Sequence, residues 1–206
     1  MLLWAGVFLI LLGCACFPID RWASHTLYDH ESEAFERFLE ATTHWAKAAH
    51  WLVAAFLAYG IAILVLTFIG PVEEAREAVD YTRAFVASLL LGSAILHGMK
   101  LVLGRRRPRD DMEMGLYEFV WFKFKTDYNS FPSGHALTIM CVAVIATSVA
   151  PKLAVVWFAI ALWLGVTRAL LTAHFFSDVF IGAGIGLVAA RETLLYLFPA
   201  LFRPWF

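Results

Sequence analysis

The sequence predicts an all-α fold, a six-span transmembrane helical bundle with an interfacial amphipathic helix in the first loop. Of the 206 residues, 61% are hydrophobic and 16% are charged, and the mean hydropathy is +0.72. A soluble domain of this length cannot bury so much apolar surface. The apolar residues also fall into separate runs of about 16 to 21 residues, close to the length that a helix needs to cross a bilayer.

The net charge and the cysteines exclude two other classes of protein. The formal net charge is −1 at pH 7, whereas a nucleic-acid partner requires a basic face, so we expect no nucleic acid. Cys14, Cys16 and Cys141 lie in apolar runs and are odd in number, which argues against a disulfide framework. We interpret them as packing residues.

The spans are predicted to belong to one domain, residues 1–206. They are residues 1–17, 51–69, 84–103, 135–150, 153–171 and 178–198. The first run is at the lower length limit for a spanning helix. A signal peptide is the alternative, and residues 11–14 loosely resemble a lipoprotein processing site, but the run lacks the positive charge that begins a signal peptide. We therefore expect a retained first span.

The first polar loop, residues 18–50, contains a helical pattern. The residues of this pattern recur at steps of three and four, with charged residues between them; they are Phe35, Phe38, Leu39, Thr42 and Trp45. The pattern predicts an amphipathic helix that lies in the membrane interface with its aromatic side inward, where it either covers a site or anchors the loop. A later segment, residues 72–83, is rich in both charges and predicts a solvated connection.

Ionisable side chains interrupt the apolar sequence near the ends of three spans. They are Lys100 with the run Arg105-Arg106-Arg107-Pro108, then Pro132-Ser133-Gly134-His135, then Arg168, His174 and Asp178. A charged side chain at the centre of a membrane helix costs roughly 2.5 to 3.5 kcal/mol on insertion scales, so such clusters indicate a functional site. Each also has a structural explanation: Lys100 can snorkel, the arginine run can contact anionic lipid, and Arg168 can pair with Asp178.

All three clusters fall on the same membrane face when the spans are counted. Their cations would bind a multiply charged oxyanion, and arginine forks match phosphate. Two histidines then divide the work: a neutral one attacks phosphorus, a protonated one expels the leaving oxygen, and the aspartate holds the attacker's tautomer. Since no carboxylate pair is placed to hold magnesium, we expect no metal and no cofactor.

The spacing of these residues resembles a known family signature. The pattern is Lys100, six residues, Arg107-Pro108; then Pro132-Ser133-Gly134-His135; then Arg168, five residues, His174, three residues, Asp178. It is similar to the three-part signature of the type 2 phosphatidic acid phosphatase family and extends over residues 100–178. Thr167 departs from the serine that is usual before the arginine, although a hydroxyl is kept.

The resemblance implies metal-independent hydrolysis of a terminal phosphate from a membrane lipid phosphate or pyrophosphate through a phosphohistidine. His174 would be the nucleophile, Asp178 would orient it, and His135 would protonate the leaving group. The residues implied to hold the phosphoryl oxygens are Lys100, Arg107, Ser133, Gly134 and Arg168. Candidate substrates are undecaprenyl pyrophosphate, phosphatidylglycerol phosphate, phosphatidic acid and the phosphates of lipid A.

Two alternatives use the same residues. A lipid phosphotransferase would pass the phosphate to an acceptor other than water, and a non-catalytic lipid-phosphate binder or transporter would keep only the binding function. We expect the lipid bilayer as a partner and no obligate protein partner. Basic residues are more numerous in the loops on the site face, which points to the cytoplasm. The resemblance instead implies a bacterial inner (plasma) membrane protein whose site faces the periplasm or exterior, and we follow the resemblance.

Two structural expectations follow from helix geometry. Six steps of about 100° place Arg168 and His174 far apart around a helix, so a break within residues 172–177 is required. His97 lies about one turn before Lys100, where it either supports Lys100 or is an ordinary buried histidine.

Overall fold

The computed structural model describes residues 1–28, 32–122 and 125–206. The helices are α1 (Leu2–Cys16), α2 (Asp20–Tyr28), α3 (Glu33–Thr43), α4 (Ala48–Phe68), α5 (Glu73–Val102), α6 (Pro108–Met114), α7 (Gly134–Val149), α8 (Ala154–Leu170) and α9 (Phe176–Leu197). Two short strands, β1 (Leu103–Arg105) and β2 (Phe119–Trp121), lie between α5 and α7. The predicted helical membrane fold is confirmed.

The described helices differ in whether they are long enough to cross a membrane. Among the described residues, four helices are long and apolar enough to cross a membrane: α4, α5, α8 with the turn before it, and α9. Helices α1 and α2 form a pair bent by 79° that passes the same test only when taken together, and α7 is apolar but has 16 residues. The structure therefore supports four or five spans by length and composition, and six spans stays a prediction.

Helix α5 corrects the predicted solvated connection at residues 72–83. The helix begins at Glu73, so this segment forms its first turns. Glu73 and Glu74 lie where negative charge stabilises a helix N-terminus, and Arg76 and Arg83 each reach an acidic residue three positions earlier, at 3.9 and 3.8 Å. A charge pattern that we interpreted as a loop is the exposed beginning of a long helix.

Helix α9 lies at the centre of the bundle, packed against α1, α5, α7 and α8. Its glycines allow this packing. A Cβ on Gly182 would lie 2.3 Å from the Ser133 carbonyl oxygen, and a Cβ on Gly184 would lie 2.7 Å from the Gly6 carbonyl oxygen. Small residues let helix backbones approach closely in membrane proteins. Ser133, at the start of α7, is thereby fixed against the helix that follows His174.

The described residues of the first loop contain two α-helices where the sequence predicted one. Helix α3 confirms the amphipathic pattern and begins after Ser32, whose hydroxyl accepts a bond from the Phe35 N–H at 3.4 Å. Leu39 and Thr43 are buried against the bundle, whereas Phe35 and Phe38 remain exposed. Helix α2 was not predicted. The position of α3 in the membrane interface, with its aromatic side inward, stays a prediction.

The loop after α5 folds back over the bundle through a small sheet. β1 and β2 pair antiparallel, with Gly104 opposite Val120 and Arg105 opposite Phe119. A Cβ on Gly104 would lie 2.9 Å from the Tyr128 Cβ, so glycine permits this close packing. Arg105, at the end of β1, is buried inside the protein, and Arg107, just before α6, lines one cavity together with Gly134 and His135 at the start of α7.

Candidate functional site

The turn between α8 and α9 supplies the break that the spacing required. Helix α8 ends at Leu170 and α9 begins at Phe176, and Thr172 between them has a left-handed φ of 49°. The backbone N–H groups of Ala173 and His174 both donate to the Arg168 carbonyl oxygen at 3.1 Å. The chain therefore reverses within residues 171–175, and Arg168 and His174 face one cavity.

This cavity has a volume of about 500 Å³ and joins the three sequence clusters. Its polar end is formed by Lys100, Arg107, Gly134, His135, Arg168 and His174. Its other end is apolar and is formed by α4 and α5, through Leu52, Val86, Leu89, Leu90 and Leu96. Six of the eight predicted site residues thus line one cavity, and Ser133 and Asp178 lie behind it.

Three cationic side chains surround the polar end with donors to spare. Lys100 Nζ donates to the Asn129 carbonyl oxygen at 2.7 Å, and Arg168 Nη1 donates to Thr43 Oγ1 at 3.3 Å. The Arg168 Nε is buried without a partner in the described part of the chain. Within the same part, no hydrogen bond or ion pair engages the Arg107 guanidinium. Unused donors on these half-buried cations provide a binding site for an anion.

The Pro-Ser-Gly-His turn begins α7 at the cavity. Ser133 is fully buried: its hydroxyl accepts a long bond from the Ala136 N–H at 3.5 Å, and its own N–H donates to the Asp178 carbonyl oxygen at 2.9 Å. Ser133 therefore caps α7 and ties it to α9. Gly134 and His135 line the cavity, where the helix N-terminus favours a negative charge.

Neither the backbone conformation nor the packing around residue 134 requires a glycine. Its φ is ordinary, and a Cβ there would meet no atom within 4 Å. A Cβ at this position would instead occupy space at the cavity wall. This suggests that the missing side chain leaves room for a ligand.

The position of the proton on His174 follows from its hydrogen bond. Its Nδ1 lies 2.8 Å from the Ser130 carbonyl oxygen, and the residue is 5% exposed. A carbonyl oxygen only accepts, so Nδ1 carries the hydrogen and, in the neutral ring, Nε2 keeps a free lone pair. Burial lowers the pKa of His174 well below its usual value, and the positive charges of Arg168 and Lys100 act in the same direction. A neutral imidazole with a free Nε2 has the form of a nucleophile.

Asp178 makes no direct hydrogen bond to His174, and the orienting role that the sequence predicted for it stays a prediction. Its carboxylate lies 3.9 Å from His174 Nδ1, beyond hydrogen-bond distance. Its Oδ2 instead accepts from the Ser130 hydroxyl at 2.6 Å and from the Phe175 N–H at 2.9 Å. Asp178 is therefore connected to His174 through Ser130, whose carbonyl oxygen contacts the imidazole, and through the backbone next to His174.

Arg105 is the main residue that sequence reasoning missed. It is 1% exposed, and its guanidinium donates to Asp178 Oδ1 at 2.7 Å, to Ser177 Oγ at 2.7 Å and to Asp20 Oδ2 at 2.9 Å. Burial lowers the pKa of Arg105, but the charges of Asp178 and Asp20 outweigh it and raise the pKa above its usual value. The ring of Phe175 lies 3.8 Å from the guanidinium carbon.

These contacts form a buried network behind His174, consisting of Arg105, Asp20, Ser177, Asp178 and Ser130. Asp20, fully buried, also accepts from the Ser177 N–H at 3.1 Å. The sequence signal for the network was weak, because Arg105 stands in an arginine run that suits lipid contact and Asp20 is separated from it by 85 positions. The network connects the first loop to the turn that carries His174.

The described part of the chain contains no group of side chains that could hold a metal ion. Across residues 1–28, 32–122 and 125–206, no three His, Cys, Asp or Glu side chains are grouped so that they could hold a metal ion. The expectation of a metal-free and cofactor-free reaction stays a prediction.

Sequence comparison relates the chain to known proteins. A sequence model of the PAP2 superfamily matches residues 81–201. The chain is 32% identical over 127 residues to a lipid A 1-phosphatase of Rhizobium etli and to one of Rhizobium johnstonii. Each match covers 57% of this chain, and 55% and 52% of the two relatives. The chain therefore spans about half the length of the curated relatives it matches.

Two solved structures have a similar fold. The crystal structure of Aquifex aeolicus LpxE matches with a TM-score of 0.60 and 16% identity, covering 86% of this chain and 96% of that one. The first transmembrane PAP2 type phosphatidylglycerolphosphate phosphatase from Bacillus subtilis matches with a TM-score of 0.63 and 18% identity, covering 97% and 96%. At these identities the two structures establish a shared fold.

Proposed function

Because the chain belongs to the PAP2 superfamily, we propose that it is a hydrolase that removes a terminal phosphate from a membrane lipid phosphate or pyrophosphate. One observation carries this proposal. His174, with its Nδ1 hydrogen directed at a carbonyl oxygen, shares a cavity with three cations and an apolar wall. The cations suit a phosphate, the imidazole suits an attack on it, and the apolar wall suits a lipid.

The phosphate binds at the polar end of the cavity. Lys100, Arg107 and Arg168 supply the positive charge, and the N–H groups at the start of α7, next to Gly134, supply further donors. Ser133 lies behind the cavity wall and fixes that helix end, since its hydroxyl accepts from the Ala136 N–H and its own N–H donates to the Asp178 carbonyl oxygen. The cations also spread the charge that develops on the phosphoryl oxygens.

The first chemical step is attack by His174 Nε2 on phosphorus. A P–N bond forms, the bond from phosphorus to the leaving oxygen breaks, and the leaving oxygen keeps the electron pair. Protonated His135 donates its proton to that oxygen, so the product is a lipid alcohol, or a lipid phosphate when the substrate is a pyrophosphate. The negative charge of the bound phosphate favours the protonated form of His135.

The second step is hydrolysis of the phosphohistidine. Neutral His135 accepts a proton from water as the water oxygen attacks phosphorus. The P–N bond breaks, its electron pair returns to His174 Nε2, and inorganic phosphate leaves. His135 ends the cycle protonated and His174 neutral, as they began. In both steps the Ser130 carbonyl oxygen keeps the hydrogen of His174 on Nδ1.

We favour lipid A as the class of substrate, because the relatives with 32% identity are named lipid A 1-phosphatases. Undecaprenyl pyrophosphate, phosphatidylglycerol phosphate and phosphatidic acid are the other candidates. The protein is an integral membrane protein, and its location in a bacterial inner membrane with the site facing the periplasm or exterior is part of the proposal. A single domain without an obligate protein partner also stays a prediction.

The test is phosphate release in detergent from a panel of these lipids, with EDTA present and no added acceptor. We expect turnover by the wild type and loss by orders of magnitude in His174→Ala. Activity that EDTA abolishes would contradict the metal-free mechanism. A phosphotransferase would release no phosphate until an acceptor is added, and a binder or transporter would keep its full function in His174→Ala.

A further inference from the structure

The α5 side of the cavity changes in polarity along the helix. We define the α5 wall as Val86, Leu89, Leu90, Ser93, Leu96, His97 and Lys100, all of which line the cavity. From the cationic end, Lys100 is followed by the imidazole of His97 next to Leu96, then by the hydroxyl of Ser93, and then by the aliphatic side chains of Leu90, Leu89 and Val86. A ligand that lies along this wall therefore meets a positive charge first, then two hydrogen-bonding groups with Leu96 between them, and hydrocarbon last.

Helix geometry gives the spacing of these groups. At 1.5 Å per residue, His97 lies about 4.5 Å and Ser93 about 10 Å from Lys100 along the helix axis. His97 is exposed and Ser93 is half-buried. His97 is therefore not the ordinary buried histidine that was one of the two expectations from the sequence.

Neither side chain has a hydrogen-bond partner within the described part of the chain. Polar side chains in membrane segments are costly and usually mark a ligand path or a functional contact. Since both face a cavity that we assign to a lipid phosphate, their partners are best sought on the lipid.

We propose that His97 and Ser93 recognise the acyl oxygens of the substrate. This inference rests on the proposed function and names its substrate class: phosphorylated lipids in which ester or amide carbonyls lie between the phosphate and the hydrocarbon. The imidazole and the hydroxyl donate to those carbonyl oxygens, and the aliphatic end of the α5 wall, at Val86, Leu89 and Leu90, contacts the acyl chains.

Prenyl phosphates lack the matching groups. In a prenyl monophosphate the hydrocarbon begins at the first carbon after the phosphate ester oxygen, so His97 and Ser93 would both face hydrocarbon. In a prenyl pyrophosphate the second phosphate reaches the level of His97 but not that of Ser93. A site built to hydrogen-bond a substrate group discriminates against a substrate without it, because its own polar groups are then left unpaired.

Two matched lipids test this directly: a diacylglycerol phosphate and the dialkyl ether analogue, which has the same chains but no carbonyl oxygens. We expect the wild type to hydrolyse the diacyl lipid with a kcat/KM roughly tenfold higher or more than that of the ether lipid. Ser93→Ala and His97→Leu should each lower kcat/KM for the diacyl lipid and leave the value for the ether lipid nearly unchanged. Undecaprenyl phosphate and pyrophosphate complete the panel and should behave like the ether lipid toward Ser93→Ala.

Ser88→Ala is the control on the same helix. Ser88 is fully buried, donates to the Ala84 carbonyl oxygen at 2.6 Å and does not line the cavity, so its loss should leave the preference for the diacyl lipid intact. Equal wild-type rates on the diacyl and ether lipids, or variants that slow both lipids equally, would overturn this inference alone. No phosphate release from these lipids or from lipid A would overturn the proposed function and this inference with it.

Discussion

Replacing Arg105 with lysine tests whether the buried network behind His174 controls catalysis. Arg105 Nη1 donates hydrogen bonds to Asp178 and Ser177, and Nη2 donates one to Asp20. One guanidinium therefore neutralises two fully buried carboxylates. Lysine keeps the charge but has a single nitrogen, which cannot occupy both Nη positions. One of the two carboxylates therefore loses its ion pair in Arg105→Lys.

The expected magnitudes follow from these contacts. A hydrogen bond to a charged group contributes about 1.5 to 3 kcal/mol, so Arg105→Lys should lower the free energy of unfolding by about that amount. Arg105→Met leaves both carboxylates without a cation and should cost about 3 to 5 kcal/mol, which threatens folding itself. Lysine is therefore the informative replacement.

The kinetic effect should fall on kcat. Asp178 holds Ser130, and the Ser130 carbonyl oxygen holds the Nδ1 hydrogen of His174, so a displaced Asp178 misaligns the nucleophile. We expect kcat to fall about 10- to 100-fold, the usual range when a residue supporting a functional side chain is lost. KM should stay near the wild-type value, because Lys100, Arg107 and Arg168 are untouched.

The assays are thermal unfolding in detergent and phosphate release from a lipid phosphate. Arg106→Lys is the matched control, since Arg106 lies next to Arg105 in the sequence but its side chain contacts none of the residues of the network behind His174. Its acidic partners lie at 3.7 to 3.9 Å, and its guanidinium carbon lies 4.4 Å from the centroid of the Tyr128 ring. Full stability and kcat in Arg105→Lys, or a raised KM with an unchanged kcat, would refute this role of Arg105.

Three further predictions concern the cavity. Gly134→Ala should fold normally yet raise KM. Gly182→Ala should fail to fold, because its Cβ would lie 2.3 Å from a carbonyl oxygen. Equal effects of the two substitutions on the unfolding temperature would contradict this difference. The pKa of His174 lies well below its usual value, so His174 should stay neutral below pH 6.5. Arg168→Gln removes a positive charge and should raise the pKa of His174, which NMR of the histidine ring would measure. An unchanged pKa would contradict this effect of Arg168. Thr43→Val removes the acceptor of Arg168 Nη1, a hydrogen bond that contributes about 1 kcal/mol. KM should therefore rise several-fold while kcat stays unchanged. A fall in kcat alone would contradict a role of Thr43 in positioning Arg168 for phosphate binding.

The long helices and the six site residues that line the cavity were predictable from the sequence. Apolar runs of about 20 residues have few alternatives to a membrane helix, and the observed α4, α7, α8 and α9 begin and end within three residues of the predicted bounds. The break before His174 was predictable as well, because Arg168 and His174 cannot share a continuous helical face. The roles of these residues remain predictions that the proposed experiments test.

The supporting contacts could not be read from the sequence. The ion pair of Arg105 with Asp20 joins residues 85 positions apart and leaves no local pattern. The three-residue strands β1 and β2 are too short for an alternating pattern. The tautomer of His174 depends on the Ser130 backbone carbonyl, and a backbone acceptor has no signature in side-chain identities.

We expect His174 Nε2 to become covalently bound to phosphate during turnover. To test this, the enzyme is mixed briefly with a lipid that carries a radioactive terminal phosphate, and the reaction is quenched without acid. The protein is then digested, and the labelled peptide is identified. The proposal predicts a label on His174 that is stable in base and lost in acid, as expected of a P–N bond, and none in His174→Ala. Full turnover by His174→Ala, or a label on another residue, would contradict it.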